Sequence, residues 1–189
     1  MTIADLRLVN YCHKNCAPLR NIMRLPREQA FALARELAEA NRNTTAFYRF
    51  ADFEHYYPER LQTDALLRAR FMELGGRPAQ KHPLSFVLQG SDYLDDWFDH
   101  GIVTTVPLDR VPAEAVSFTL GDSMASLKRD GGLTMLTKDM LLHAIEDFDG
   151  TPEDFLADAA GGYHYIEAQV WDDDCLGLSI APPDAAAHP

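Results

Sequence analysis

The clearest alternation of apolar and polar positions lies near the end of the chain, over residues 161–171. Strict alternation predicts a β-strand, because successive side chains of a strand point to opposite faces. One predicted face is an ordinary aliphatic core face, made of Ile166, Ala168 and Val170. The other places a carboxylate and a carboxamide among aromatic rings, namely Tyr163, Tyr165, Glu167, Gln169 and Trp171. Such a face is typical of the floor of a binding cleft, and equally of a solvated sheet surface.

Helical periodicity is clearest after Pro26, where apolar residues recur at three- and four-residue spacing. A second helix is predicted over residues 58–74, and a short one follows the potential cap Ser91. Two more are predicted after Thr137 and Thr151, which are good helix-capping residues. Residues 128–133 contain two consecutive glycines and are predicted to form a loop.

Further short strands are predicted over residues 6–9, 45–50, 83–88, 102–108 and 115–120. The strands and helices follow no regular β-α-β period, which predicts an α+β fold with a mixed or mainly antiparallel sheet and about four to five helices. We expect one domain over residues 1–181 and a disordered Pro/Ala-rich tail over residues 182–189.

Composition narrows the class of protein. The 189 residues are 47% hydrophobic, which is enough for a substantial core. No apolar run approaches the roughly 20 residues of a membrane span, and the first residues do not resemble a secretory signal. We therefore expect a cytoplasmic protein with no membrane partner. The net charge of −12 makes nucleic acid an unfavourable partner, because its phosphates would be repelled.

The cysteines raise the question of a metal site. An odd count of three fits a reducing compartment. Cys12, His13 and Cys16 have the composition of half a zinc site, but no second ligand pair follows at the spacing of a zinc finger. We therefore interpret the two cysteines as small buried apolar residues and predict no bound metal.

Polar side chains within predicted strands are the candidates for chemistry. Arg49 lies in an aromatic strand, Ser117 and Thr119 share one face of another, and Glu167 and Gln169 share a face of the last. Arginine binds phosphate bidentately, and hydroxyl groups can bind a ribose or an amide. A carboxylate can stabilise the oxocarbenium-like centre that forms when a glycosidic bond breaks. Together these groups could hold a dinucleotide and polarise its glycosidic bond.

This combination resembles the Arg–Ser–Glu pattern of the ADP-ribosyltransferase superfamily. The resemblance implies that Arg49 binds the phosphates of NAD, that the Ser117 strand supports the nicotinamide-ribose pocket, and that Glu167 is catalytic. The order Glu167-Ala168-Gln169 reverses the usual order of that family, in which the glutamate comes last. The resulting predictions are catalytic residues Glu167 and Gln169, and NAD-binding residues Arg49, Ser117, Thr119, Tyr165 and Trp171. The substrate would be a small molecule or a protein.

Each of these residues also has an ordinary structural interpretation. Arg49 could pair with Asp52 or Glu54, and the hydroxyl residues could simply favour a strand. Asp122 and Ser123, at the Gly121 turn, have a composition common both in sites and in ordinary turns.

The competing hypothesis is a non-enzymatic acidic interaction module, of the inhibitor or immunity type, that docks on a basic partner. The negative charge favours it through electrostatic steering, and the acidic residues concentrate over 92–99, 146–158 and 172–174. A third and weaker hypothesis is a metal-dependent hydrolase. The sequence leaves the oligomeric state open.

Overall fold

A six-stranded antiparallel sheet forms the centre of the structure, a computed structural model that describes residues 2–177. Its strands are β1 (Arg7–Cys12), β2 (Leu84–Leu88), β3 (Ile102–Pro107), β4 (Val116–Leu120), β5 (Met135–Thr137) and β6 (Ile166–Val170). They lie in the order β3-β1-β2-β6-β4-β5, and every neighbouring pair is antiparallel. The predicted α+β class is confirmed, and the sheet is wholly antiparallel.

Seven α-helices accompany the sheet in the described part of the chain, more than the four to five predicted. They are α1 (Arg27–Ala40), α2 (Tyr48–Ala51), α3 (Phe53–Glu73), α4 (Asp92–Trp97), α5 (Ser123–Asp130), α6 (Lys138–Glu146) and α7 (Pro152–Tyr163). The three predicted caps are confirmed, because the side chains of Ser91, Thr137 and Thr151 accept hydrogen bonds from backbone amides in the first turns of α4, α6 and α7.

The main hydrophobic core lies between one face of the sheet and helices α6 and α7. Ile166, Ala168 and Val170 are buried in it, as their alternation predicts. Leu141 and Ile145 of α6 pack against the same face. This core therefore extends across the sheet, from the first strand to the last.

The opposite face of the sheet is covered by α3. Leu67 and Phe71 of this helix form a second cluster with Met135 and Trp171, and the rings of Phe71 and Trp171 stack with 6.1 Å between centroids. Strand β6 is consequently buried on both faces, over its whole length. Its polar side chains must then find partners inside the protein.

The prediction of a strand over residues 45–50 is wrong. The segment forms a 3-10 turn, Thr45–Phe47, which continues directly into α2. Phe47, Phe50 and Phe53 recur every third residue, and their rings contact each other in succession at 5.8 and 5.6 Å. This spacing places aromatic rings on one helical face, so packing overrides the β-propensity of the individual residues.

Two further boundaries differ from prediction. The last strand begins at Ile166 rather than near Gly161, because α7 continues through both glycines and ends at His164 in the left-handed conformation (φ 66°). The loop predicted over residues 128–133 begins with the last turn of α5, which ends at Gly131 in the same conformation. The predicted tail, residues 182–189, lies outside the described residues. Over residues 2–177, no helix is both long and apolar enough to cross a membrane.

Gly101 packs closely against the turn that follows β1. A β-carbon at this position would lie 2.3 Å from the backbone oxygen of Cys12 and 2.9 Å from the backbone nitrogen of Lys14. Both are main-chain atoms, so neither can rotate away. We expect Gly101→Ala to lower the free energy of unfolding by about 1–3 kcal/mol, as overpacking usually does. Chemical denaturation would measure the change.

The matched control is Gly132→Ala, where an added β-carbon would meet nothing within 4 Å. Equal unfolding free energies for the two variants would contradict the steric explanation.

Candidate functional site

Several connecting segments meet at the end of the sheet where β6 begins and β4 ends. The amide of Gly121 donates to the carbonyl oxygen of Tyr165 at 2.9 Å, which joins the two segments. Strand β2 runs antiparallel to β6 and ends there too, so α4 follows at the same end. Because α5 and α4 begin here and α7 ends here, this end of the sheet collects polar loop residues.

A ladder of hydrogen bonds runs beneath this end, between β4 and β6. The hydroxyl of Ser117 donates to Gln169 Oε1 at 2.8 Å, and Gln169 Nε2 donates to Thr119 Oγ1 at 3.0 Å. The indole Nε1 of Trp171 donates to Ser117 Oγ at 2.9 Å. We call these four residues the polar ladder. Each is at most 1% exposed, so their polar groups are satisfied by one another.

The polar ladder contains four of the seven predicted site residues, but it does not line a cleft. Alternation correctly placed Ser117, Thr119, Gln169 and Trp171 on a face separate from the aliphatic core. The prediction that this face opens to a cleft is wrong for Gln169 and Trp171, because α3 covers it. Because these amide and hydroxyl groups hydrogen-bond to one another, the free-energy cost of removing them from water is offset.

Glu167 lies on the same face and is 6% exposed. Its Oε2 accepts a hydrogen bond from the amide of Ser123 at 2.8 Å and a longer one from the hydroxyl of Thr119 at 3.5 Å. Burial raises the pKa of Glu167; the positive charge of Arg60 opposes that rise, and the carboxylate of Asp122 adds to it. Among residues 2–177 no lysine or arginine forms an ion pair with Glu167 within 4 Å. Its ionised form is therefore poorly compensated.

A buried ion pair lies nearby on α3 and was not predicted. Arg60 contacts Asp64 at 2.7 Å, and His82 contacts the other oxygen of Asp64 at 2.7 Å. Arg60 is 7% exposed and Asp64 is fully buried. Their spacing of four residues within a predicted helix is the sequence signal that could have revealed the pair.

Arg49 lies at the rim of this region, on α2 rather than on a strand. Its guanidinium contacts Asp122 at 3.4 Å and lies over the rings of Tyr48 and Tyr56, 5.7 and 5.8 Å from their centroids. The other oxygen of Asp122 caps α5 by accepting from the amide of Ala125 at 2.8 Å. Arg49 and Asp122 are both partly exposed, and therefore accessible to a ligand.

These contacts join Arg49 to the buried groups through the turn that begins α5. Arg49 contacts Asp122, the next residue Ser123 donates to Glu167, and Glu167 accepts from Thr119 of the polar ladder. The structure thus connects Arg49, Ser117, Thr119, Glu167 and Gln169 in one network. The assignment of these residues to NAD stays a prediction.

A group of aromatic rings in mutual contact lies beside Arg49 at this end of the sheet. Tyr93 packs against Trp97, His164 and Tyr165 at centroid distances of 5.9, 5.2 and 6.5 Å, and Trp97 packs against Tyr48 at 5.4 Å. We call these five residues the aromatic surface. Tyr48 is 54% exposed and Tyr93 is 46% exposed. Tyr165 is half-buried, and burial followed by the charge of Asp122 raises its pKa.

Carboxylates surround the aromatic surface on one side. They lie on α4 or directly after it and form the acidic border: Asp92, Asp95, Asp96 and Asp99. His100 contacts Asp95 at 2.7 Å and Asp96 at 3.4 Å, and Lys14 contacts Asp99 at 3.4 Å. Lys14 is the one lysine or arginine among residues 2–177 that pairs with these four carboxylates, so the border is acidic.

The sequence predicted a short helix after Ser91 but did not single out its rings, Tyr93 and Trp97. Helix α4 is six residues long, and none of its residues is buried. A helix this short places its rings beside the sheet rather than beneath another element. Residues 92–99 contain four aspartates together with Tyr93 and Trp97, and this acidic composition was the available signal for an exposed surface.

Two further observations bear on function. Within residues 2–177, no three or more His, Cys, Asp or Glu side chains converge in a way that could hold a metal ion. Comparison with protein-family models, curated proteins and solved structures finds no match to this chain.

The raised pKa of Glu167 predicts a pH-dependent cost to stability. The folded protein binds the Glu167 proton more tightly than the unfolded chain does, so stability falls as pH rises from the ordinary glutamate pKa of about 4.3 towards the raised value. Glu167→Gln removes this loss while keeping an acceptor for Ser123. We expect the melting temperature of the variant, relative to the wild type, to increase between pH 4 and pH 8.

Glu36→Gln makes the same chemical change on the exposed face of α1 and serves as the control. A melting-temperature difference for Glu167→Gln that stays constant over this range, as expected for Glu36→Gln, would show that the buried carboxylate ionises without penalty.

Proposed function

We propose that this protein is a non-enzymatic interaction module that binds a basic segment of a partner protein through the aromatic surface and the acidic border. The observation that carries the proposal is the exposure of Tyr48 and Tyr93 within a group of rings in mutual contact. Large aromatic side chains next to an arginine, Arg49, have the composition of interface hot spots. The five rings are contiguous, unlike the singly scattered apolar residues of an ordinary surface.

Charge complementarity favours a basic partner. Lysine and arginine head groups bind over the faces of tyrosine and tryptophan rings, and carboxylates can pair with the same head groups. The acidic border places carboxylates on the helix that carries Tyr93 and Trp97. The net charge of −12 adds long-range attraction for a basic partner and accelerates association.

The aromatic surface is also organised before binding. Its rings contact each other, edge-on between Tyr48 and Trp97 and stacked between Tyr93 and His164, and Arg49 Nε donates to the hydroxyl of Tyr48 at 3.0 Å. Thr45 fixes the adjoining segment by donating to the carbonyl oxygen of Trp97 at 3.2 Å. Side chains that are already ordered lose little conformational entropy on binding, which increases affinity.

The two tryptophans of the chain make a direct test possible. Trp97 lies in the aromatic surface, whereas Trp171 is fully buried in the polar ladder. We expect titration with a synthetic Arg/Lys-rich peptide to change the fluorescence of Trp97, and the signal to vanish in Trp97→Phe. Tyr93→Ala should weaken binding by about 2 kcal/mol or more, as hot-spot truncations do.

The electrostatic contribution needs a charge-matched control. Changing Asp92, Asp95 and Asp96 to Asn should weaken binding of the peptide and make its affinity depend less on salt concentration. Glu28, Glu36 and Glu39 changed to Gln alter the net charge equally, but on α1. If both triple variants weaken binding equally, the effect comes from net charge and not from the acidic border. A peptide that leaves the fluorescence of Trp97 unchanged would contradict the proposed surface.

A second candidate is the ADP-ribosyltransferase-like activity, and one observation favours it. Arg49 and Glu167 are joined through the turn at Asp122 and Ser123, so a phosphate-binding group and a carboxylate belong to one network. NAD would have to reach Glu167 from the rim, next to Arg49 and Tyr165, because α3 closes the opposite side.

Melting in the presence of NAD separates the two candidates. If NAD binds this network, about 100 times its Kd should add about 2.7 kcal/mol to the free energy of unfolding. Glu167→Gln should then abolish NAD hydrolysis or ADP-ribosyl transfer while retaining the added stability. An unchanged melting temperature in millimolar NAD, with no turnover, would remove this candidate and leave the interaction module.

A further inference from the structure

The chain carries two cysteines at opposite ends of one tight turn, away from the polar ladder. Cys12 ends β1 and its thiol lies 3.5 Å from the carbonyl oxygen of His13. The amide of Cys16 donates to that same oxygen at 2.8 Å, which closes the turn. Both are free thiols; Cys12 is buried and Cys16 is partly exposed. The backbone of the turn therefore brings Cys12 and Cys16 close together.

The two thiols differ in reactivity because they interact. The interaction between the two side chains lowers the pKa of Cys16 and, together with burial, raises the pKa of Cys12. Thiolates rather than thiols attack disulfides, so Cys16 has the chemistry of the attacking residue. By contrast, burial next to Asp172 and Asp173 raises the pKa of Cys175 to about 11.

We infer that Cys12 and Cys16 form an oxidisable dithiol, which a low-molecular-weight disulfide such as glutathione disulfide converts into an intramolecular disulfide. The geometric basis is the tight turn in which the Cys12 thiol and the Cys16 backbone amide contact the same carbonyl oxygen, that of His13. A partly exposed thiol beside a buried one is the usual arrangement of an attacking and a resolving cysteine. The odd cysteine count, which first indicated three unpaired thiols, is compatible with one pair and one remaining thiol.

The reaction proceeds by two exchanges. The Cys16 thiolate attacks one sulfur of glutathione disulfide, forms a mixed disulfide and releases one glutathione thiolate. Cys12 then loses its proton to solvent and attacks the Cys16 sulfur, which releases the second glutathione. The two cysteines are oxidised by two electrons and glutathione disulfide is reduced to two thiols. Once Cys16 is in the mixed disulfide, its negative charge no longer opposes ionisation of Cys12.

The surroundings hold the turn in place. The ring of His13 packs edge-on against Phe47 at 4.9 Å, and Lys14 contacts Asp99 at 3.4 Å. Gly101 lies directly against the backbone of the turn. A fixed turn favours closure of a ring between its two ends over reaction with a second protein molecule.

Tryptic mapping of the intact protein tests the inference, because Lys14 lies between the two cysteines. Trypsin cuts after Arg7, Lys14 and Arg20, so Cys12 and Cys16 fall in separate peptides. After incubation with glutathione disulfide at neutral pH, we expect these two peptides to be joined by a disulfide that dithiothreitol cleaves. Cys16 should react roughly tenfold or more faster than Cys175, since thiolate fraction controls the rate.

Three variants make the outcome specific. Cys12→Ser should accumulate the glutathione adduct on Cys16, Cys16→Ser should leave Cys12 unmodified, and Cys175→Ser should form the linked peptides as the wild type does. Linked peptides in wild type and Cys175→Ser, with the stable adduct in Cys12→Ser, support the dithiol. A stable Cys16 adduct in the wild type, unlinked peptides, or modification of Cys175 at the same rate would overturn it.

Discussion

The hydrogen bonds between β4 and β6 are the constraint on which the rest of the structure depends. A strand buried on both faces normally carries aliphatic residues only. Here one face of β6 carries Glu167 and Gln169, and the Ser117, Thr119 and Trp171 side chains bind one another and Gln169 beneath α3. Because these partners satisfy the polar atoms, α3 can cover this face of the sheet. Arg49 of α2 contacts Asp122 at the rim of the covered region.

The buried hydrogen-bonding groups of the polar ladder all have partners, whereas the buried charge of Glu167 has no directly paired cation among the described residues. Arg60 and Asp64 neutralise each other on α3, while Glu167 has a backbone amide and a distant hydroxyl as its partners. An incompletely paired buried carboxylate is costly, and such costs are common where a protein binds or reacts with something. The aromatic surface lies over this point, so the costly group and the exposed rings belong to the same end of the molecule.

The parts that sequence predicted well are those that local periodicity determines. The helix caps at Ser91, Thr137 and Thr151 and the aliphatic face of β6 follow from short-range patterns. What alternation cannot determine is what covers the other face. The residue types on the polar face of β6 occur both in binding clefts and in buried hydrogen-bond networks. Only the position of α3, which covers this face, distinguishes the two cases.

Long-range placement also explains the wrong strand at Arg49 and the failure to predict the aromatic surface. The aromatic segment that contains Arg49 suggested a strand, but its three-residue spacing of phenylalanines packs as a helical face. The partner of Arg49 is Asp122, 73 residues away, rather than the neighbouring acids suggested by the sequence. The exposed stacking of Tyr93 on Tyr165 depends on two loops meeting at one sheet end, which no local pattern records.

Strand order has a consequence for synthesis on the ribosome. Among residues 2–177 the last strand in chain order, β6, lies inside the sheet and pairs with both β2 and β4. In the described residues it alone joins the β3-β1-β2 half to the β4-β5 half. Until residues 166–170 have emerged, β2 and β4 lack the strand that pairs with both of them, and such open strand edges can pair with other chains. The complete six-stranded sheet can therefore form only after residue 170 has emerged, and the hazard of misassembly lasts until then.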